Sequence, residues 1–206
     1  MVVLTHTKIT LSPDELQLAQ NSQWILTKRA IIDKTVLLFS RCCDNMRDIV
    51  EAEKACLTHE AFLSEPKISK GENYRQLPYV ILDYPRNFAG GNVFAIRTMF
   101  WWGNFFSITL HLAGEHKKIF HEDMDRKISL LRKKEYYLCI NEDQWQHHFE
   151  ADNYIPVKQL SQKELHAIIL KSKFVKLAVK FPLQQWNDVP VLLDESFAVI
   201  IKMLKD

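Results

Sequence analysis

The stretch that decides the fold is "YVILDYPRNFAGGNVFAIRTMFWWGNFFSITLHLAG", Tyr79 to Gly114. It is rich in branched and aromatic residues, which suit a pleated, half-buried surface. Leu77–Tyr84 reads as a strand that Pro85 ends, because proline cannot donate to a ladder. "NFAGG" reads as a turn. Asn92–Trp102 and Phe105–Leu112 read as two more strands, with Gly103-Asn104 as a two-residue hairpin loop. Along the last strand Phe106, Ile108, Leu110 and Leu112 share one face, and Phe105, Ser107, Thr109 and His111 the other.

That loop length makes a specific prediction. Trp102 would pair with Phe105, and Arg97 would lie opposite Leu110 on the face of Ala95, Met99, Trp101, Phe106 and Ile108. A one-residue slip would change those partners. An unpaired guanidinium on an apolar face is too costly, so Arg97 needs a carboxylate, several carbonyls or an anionic ligand. Asp83 on the preceding strand is the candidate carboxylate. Alternatively Arg97 and Arg86 face a cleft and hold a carboxylate or phosphate, with Trp101 or Trp102 as its wall. The Trp101-Trp102 pair points to opposite faces, so one ring belongs to the core and the other covers a helix, a dimer partner or a ligand. His111 falls on the mixed face near Ile96, Thr98 and Thr109, and reads as a hydrogen-bonded sheet histidine before it reads as a base.

Outside this stretch, Ser12-Pro13-Asp14-Glu15 is a capping box with proline at the first helical position. Leu16–Leu57 contains no Pro or Gly and carries Ile25, Ile32, Phe39, Met46 and Ile49 at helical spacing. Two or three helices are expected there, with breaks near Asn21-Ser22 and Asp44-Asn45. "SEPKISKGENYRQLP" reads as a loop. Downstream the expectations are a Phe120–Lys134 helix, a Tyr136–Ile140 strand and a short helix capped by Asn141. They continue with a Ser161 capping box opening a helix to Lys171, a Phe174–Phe181 strand with Lys176 and Lys180 on a wet face, and a final Pro190–Leu204 helix. The sum is an α+β chain with N-terminal helices on a central antiparallel meander of about three strands. It is expected as one domain over residues 1–206, with conceivable subdomains at 1–70 and 71–206.

The 206 residues hold 27 Lys plus Arg against 25 Asp plus Glu, a net charge of +2. That is too small to argue for nucleic acid or an anionic membrane. The mixed stretch with Lys117, Lys118, Arg126, Lys127 and Arg132–Lys134 reads as a solvated helix face. A nucleic-acid-binding protein using residues 117–134 is a further alternative. Cys42, Cys43, Cys56 and Cys139 form no Cys-x-x-Cys motif and read as reduced thiols, which fits a cytoplasmic protein. The N-terminus lacks a secretory pattern, and no apolar run reaches the ~20 residues that span a bilayer. No phosphate-binding, dinucleotide or nucleophile-elbow motif is present, so no cofactor is expected. His116, His121 and Glu122 match no metal-ligand spacing, and adjacent His147 and His148 would project apart from a helix; no metal site is expected.

From Tyr74 to the C-terminus, the "YRQLPYVILDYP" entry, the aromatic hairpin and "SQKELHAIILKSKFVKLAV" resemble in order a family of uncharacterised bacterial proteins with the YktB-like fold. The resemblance implies an α+β fold and no activity. The leading expectation is thus a binding protein for a small anionic ligand or a protein partner, with a homodimer as one form of the latter. Its site would include Asp83, Arg86, Arg97, Trp101, Trp102 and His111. The alternative is an enzyme acting on a small anionic metabolite, in which Asp83 or His111 moves a proton.

Overall fold

The computed structural model describes residues 9–57, 60–120 and 124–204. Helix α1 (Pro13–Gln20) opens with both bonds of the Ser12–Glu15 capping box. Asn21 then ends α1 and caps α2 (Ser22–Ala52), accepting from the Trp24 amide. The expected break at Asp44-Asn45 does not occur. Thr35, Phe39, Cys42, Cys43, Met46 and Val50 keep a buried stripe through it, and nothing in the segment breaks a helix.

Seven antiparallel strands follow in the spatial order β1-β2-β3-β4-β7-β5-β6. They are β1 (Lys67–Tyr74), β2 (Leu77–Asn87), β3 (Val93–Trp101), β4 (Phe105–Ala113), β5 (Tyr136–Cys139), β6 (Tyr154–Pro156) and β7 (Phe174–Pro182). The supposed loop at 64–78 is therefore mostly an edge strand. Its polar sequence is what a solvated sheet edge requires, and at Gly71 the absent Cβ leaves room for the Tyr79 ring across the ladder. Pro85 does not end β2. The register shifts between Asp83 and Arg86, and β1 pairing stops at Asp83, so the proline sits at a bulge with no β1 partner to serve.

The other helices are α3 (Glu115–Ile119), α4 (Met124–Ser129), α5 (Gln162–Lys171) and α6 (Val189–Met203). Of the expected Phe120–Lys134 helix, only α4 forms among the described residues, because the amides of Leu131 and Arg132 turn back to carbonyls three residues earlier and close it. The α5, β7 and α6 expectations hold to within a residue or two.

The helix-covered face of the sheet carries the main core. Val80, Leu82, Phe94, Ile96, Phe106, Ile108, Leu110 and Leu177 meet Phe39 and Met46 of α2 and Phe197 and Ile200 of α6. No helix among the described residues is long and apolar enough to cross a membrane. All four cysteines are free thiols, and only Cys56 is exposed. Phe39 is fully buried edge-on to Phe106, with ring centroids 6.2 Å apart. Phe39→Ala is expected to lower unfolding free energy by roughly 3–5 kcal/mol, read from denaturant titrations; a loss below about 1 kcal/mol would mean that α2 does not clamp the sheet.

Candidate functional site

The second face of the sheet is set by the β3–β4 register. Trp101, not Trp102, pairs with Phe105, because the loop is three residues long, Trp102 to Asn104, with Gly103 at φ 71°. Every partner moves by one from the two-residue expectation. Arg97 lies opposite Thr109, and Ala95 opposite His111; across β7 these rows continue to Ala178 and Lys176. Arg97, His111 and Lys176 are thereby collected on one face, with Met99, Trp101, Phe105, Ser107 and Thr109. His111 is not on the face of Ile96 and Thr98.

This face is not wet. Residues 141–153, between β5 and β6, fold back over it as a strap. Its base is closed by the Ile140 amide to the Asn153 carbonyl at 2.8 Å and by Asn141 Nδ2 to the Asp152 carbonyl at 3.1 Å. Asn141 caps no helix; its side chain turns the chain by accepting from the Asp143 amide. Asn153, fully buried, donates to the His148 carbonyl and holds the strap's shape. Phe149 stacks on Tyr154 at 4.6 Å and meets Phe105 and Tyr137 edge-on, both at 5.1 Å. At the far end the Tyr74 hydroxyl accepts from the amides of His147 and His148 at 2.7 and 3.1 Å.

Between strap and sheet lies a polar network. Arg97 donates Nε and one terminal nitrogen to the two oxygens of Asp83, at 2.7 and 2.9 Å, so the expected Arg97–Asp83 pair is made in bidentate form. Its other terminal nitrogen lies 3.2 Å from His147 Nε2. Since arginine can only donate, that nitrogen of His147 must be bare and the imidazole neutral. Burial, with the charges of Lys176 and Arg97, holds the His147 pKa well below its usual range. His111 bonds Gln144 Oε1 through Nε2 at 3.0 Å, and burial with the nearby Lys176 charge pushes its pKa down to about 3.

Lys176 is 1% exposed. Its ammonium donates to the Gln146 carbonyl of the strap and lies 5.5 Å from the centre of the Tyr154 ring. It forms no ion pair among the described residues. Burial, first, and Arg97's charge pull its pKa down to about 8, against opposing pulls from Cys139 and Asp143. The expectation of a solvated lysine fails because the strap covers its row; Lys180, four residues on, stays exposed with its nitrogen 5.2 Å from the Phe149 ring centre.

The remaining predicted residues separate. Arg86 donates to the Glu65 carbonyl at 3.0 Å and stays with the 64–65 segment. Trp101 is on the network's face, edge-on to Tyr74 at 5.1 Å. Trp102 is on the helix face, edge-on to Trp24 of α2 at 6.3 Å. In the basic stretch, Lys117 bonds the Ser172 carbonyl, Lys118 pairs with Glu115, and Arg132 donates to the Leu160 carbonyl, so these charges disperse. Of the imagined metal group, His121 and Glu122 lie outside the described residues, and His116 is buried against Phe94. Among the described residues one trio could hold a metal ion: His148, Glu150 and Asp152, with ligand atoms within 4.8 Å of one another. The guanidinium of Arg75 already occupies that neighbourhood, 3.1 Å from both Glu150 and His148 Nε2.

No protein-family model matches this chain, and no curated protein does.

The network generates two predictions. Unfolded His111 takes up a proton below its ordinary 6.5, whereas folded His111 does so only near 3. Between these values the unfolded state holds more protons, so stability falls as pH falls. At pH 5 the loss from this group is about 2 kcal/mol, seen as a drop in denaturant midpoint that His111→Gln flattens. Separately, Arg97→Met strands the buried Asp83 carboxylate and is expected to cost roughly 3–5 kcal/mol. Adding Asp83→Leu should recover much of that loss in the same titration.

Proposed function

We propose that the protein binds a small anionic ligand between the 141–153 strap and the sheet face bearing Lys176, Arg97 and His111. The observation that carries this reading is Lys176. A buried ammonium with one carbonyl and one ring face as its partners is poorly compensated. Asp83 is committed to both nitrogens of the Arg97 fork, and the two histidines are neutral. The covered face thus keeps one positive charge in excess, in a low-dielectric setting where an anion gains most from meeting it.

The strap supplies the way in. Its hold on the charged rows runs through side chains and single carbonyls: Gln144 to His111, the Gln146 carbonyl to Lys176, His147 to Arg97. An anion that replaces the Gln146 carbonyl at Lys176 exchanges a neutral acceptor for a charged one, which makes a hydrogen bond roughly twice as strong. The aromatic lining of Trp101, Phe105, Phe149 and Tyr154 would hold an apolar body beside the charged end.

The test is a thermal-shift series of small carboxylates and phosphate esters on wild type and Lys176→Met. An anion at a hundred times its dissociation constant adds about 2.7 kcal/mol, or roughly 5–10 °C for a chain of this size. The shift should vanish in Lys176→Met. In parallel, the Lys176 pKa followed by lysine-labelled NMR should climb from about 8 toward the ordinary 10.5 when the anion binds. A shift retained in Lys176→Met, or a Lys176 titration that no stabilising anion moves, would overturn the assignment.

A further inference from the structure

On the opposite, helix-covered face a long groove runs between α2, the β3–β4 hairpin and the start of α6. One part, of about 680 Å³, is lined by Lys34, Leu37, Arg41, Trp186 and Pro190. The other, of about 470 Å³, is lined by Ile31, Phe100, Trp102 and Leu183. Lys34 and Trp186 belong to both, so the two are continuous. Beside the groove the N-terminal arm is unusually bare. Helix α1 buries no residue at all, and Ile9, Leu11, Leu16 and Leu18 are all exposed. Trp24, Ile25, Leu26 and Leu37 of α2 are exposed too, although Trp24 touches Trp102 at the groove's edge.

We infer that this face is a homodimer interface in which each copy seats its arm, residues 9–20, in the groove of the other. Charge selects the occupant. The arm carries Asp14 and Glu15 and no Lys or Arg. The groove presents Lys34 and Arg41 against a single acid, Asp44, and neither cation has an ion pair among the described residues. The area is of the right size. Eight apolar residues, from Trp24 at 44% exposed to Ile9 fully exposed, offer an apolar area on the order of the roughly 800 Å² per partner of a specific interface. Reciprocal exchange of identical arms closes as a two-fold dimer and leaves no open end. This inference is independent of the anion site, which lies across the sheet.

Sedimentation equilibrium of the full chain at tens of micromolar tests it. A dimer is expected, and Leu18→Asp in the arm and Leu37→Asp in the groove should each weaken it by roughly tenfold or more. Both positions are exposed, so circular dichroism should show unchanged folding. Asp14→Lys and Lys34→Glu should each weaken the dimer as well, and the double variant should restore it, because the exchanged pair is reversed on both sides. A monomeric wild type sinks the proposal. So does a dimer that neither aspartate variant weakens, or a double variant no tighter than the single ones.

Discussion

One residue in a turn sets the chemistry of this sheet. Trp102, Gly103 and Asn104 together form the β3–β4 connection, and Gly103 takes a left-handed φ that a bulky residue would resist. Because side chains alternate with a period of two, this choice decides what Arg97 faces. With a two-residue loop Arg97 would sit among Ile108 and Leu110, which belong to the main core. With three, it joins Thr109, His111 and Lys176 on the other face. The apolar core and the polar network are two outcomes of a single register. Asp83 follows from the same ladder, since it is the direct cross-strand partner of Arg97 on β2.

A polar row on a sheet normally faces water. Here it is roofed by residues 141–153, and the roof is held by the polar groups it covers. Lys176 bonds a strap carbonyl, Arg97 a strap histidine and His111 a strap glutamine. The arrangement trades hydration for directed bonds. Arg97 is well served by the exchange, with a bidentate carboxylate and an imidazole. Lys176 is served less well, which is visible in the lowering of its pKa. Removing a strap contact therefore has unequal consequences around the network: it exposes an already neutralised pair at Arg97 but rehydrates a stranded charge at Lys176.

Much of the fold was legible because local signals and tertiary structure agree. The Ser12 and Ser161 capping boxes, the alternation of β4 and β7, and the apolar stripe of α6 each place their element without help from elsewhere. The Arg97–Asp83 pair was legible too, from the cost of an unpaired guanidinium. Three things were not. Strand β1 is polar because it is an edge, and polarity with Gly71 and Pro66 imitates a loop. The hairpin's loop length turned on whether Trp102 belonged to the strand or the turn, which residue preference does not settle. The burial of Lys176 depended on a strap whose sequence, "NEDQWQHHFEADN", is polar and aperiodic. His147 and Tyr74 entered the site only through that strap, so no pattern within their own segments could have named them.

The two faces of the sheet are joined at Trp101 and Trp102, adjacent residues whose rings point to opposite sides. Trp101 packs on Tyr74, the tyrosine that holds the strap amides, while Trp102 packs on Trp24, in the first turn of α2 just past the N-terminal arm. A displacement of the hairpin tip would therefore be felt at both ends, at the strap's anchor and at the arm's root. Yet such coupling requires an element with two discrete arrangements, not spatial intermediacy alone. The β3–β4 ladder is continuous from Val93 to Trp101, and both its faces are filled. Close packing on both faces resists a small displacement of the tip. On that packing, an anion bound under the strap as proposed and a partner seated on α2 as proposed would act on the fold additively, as distant and unshared contacts do.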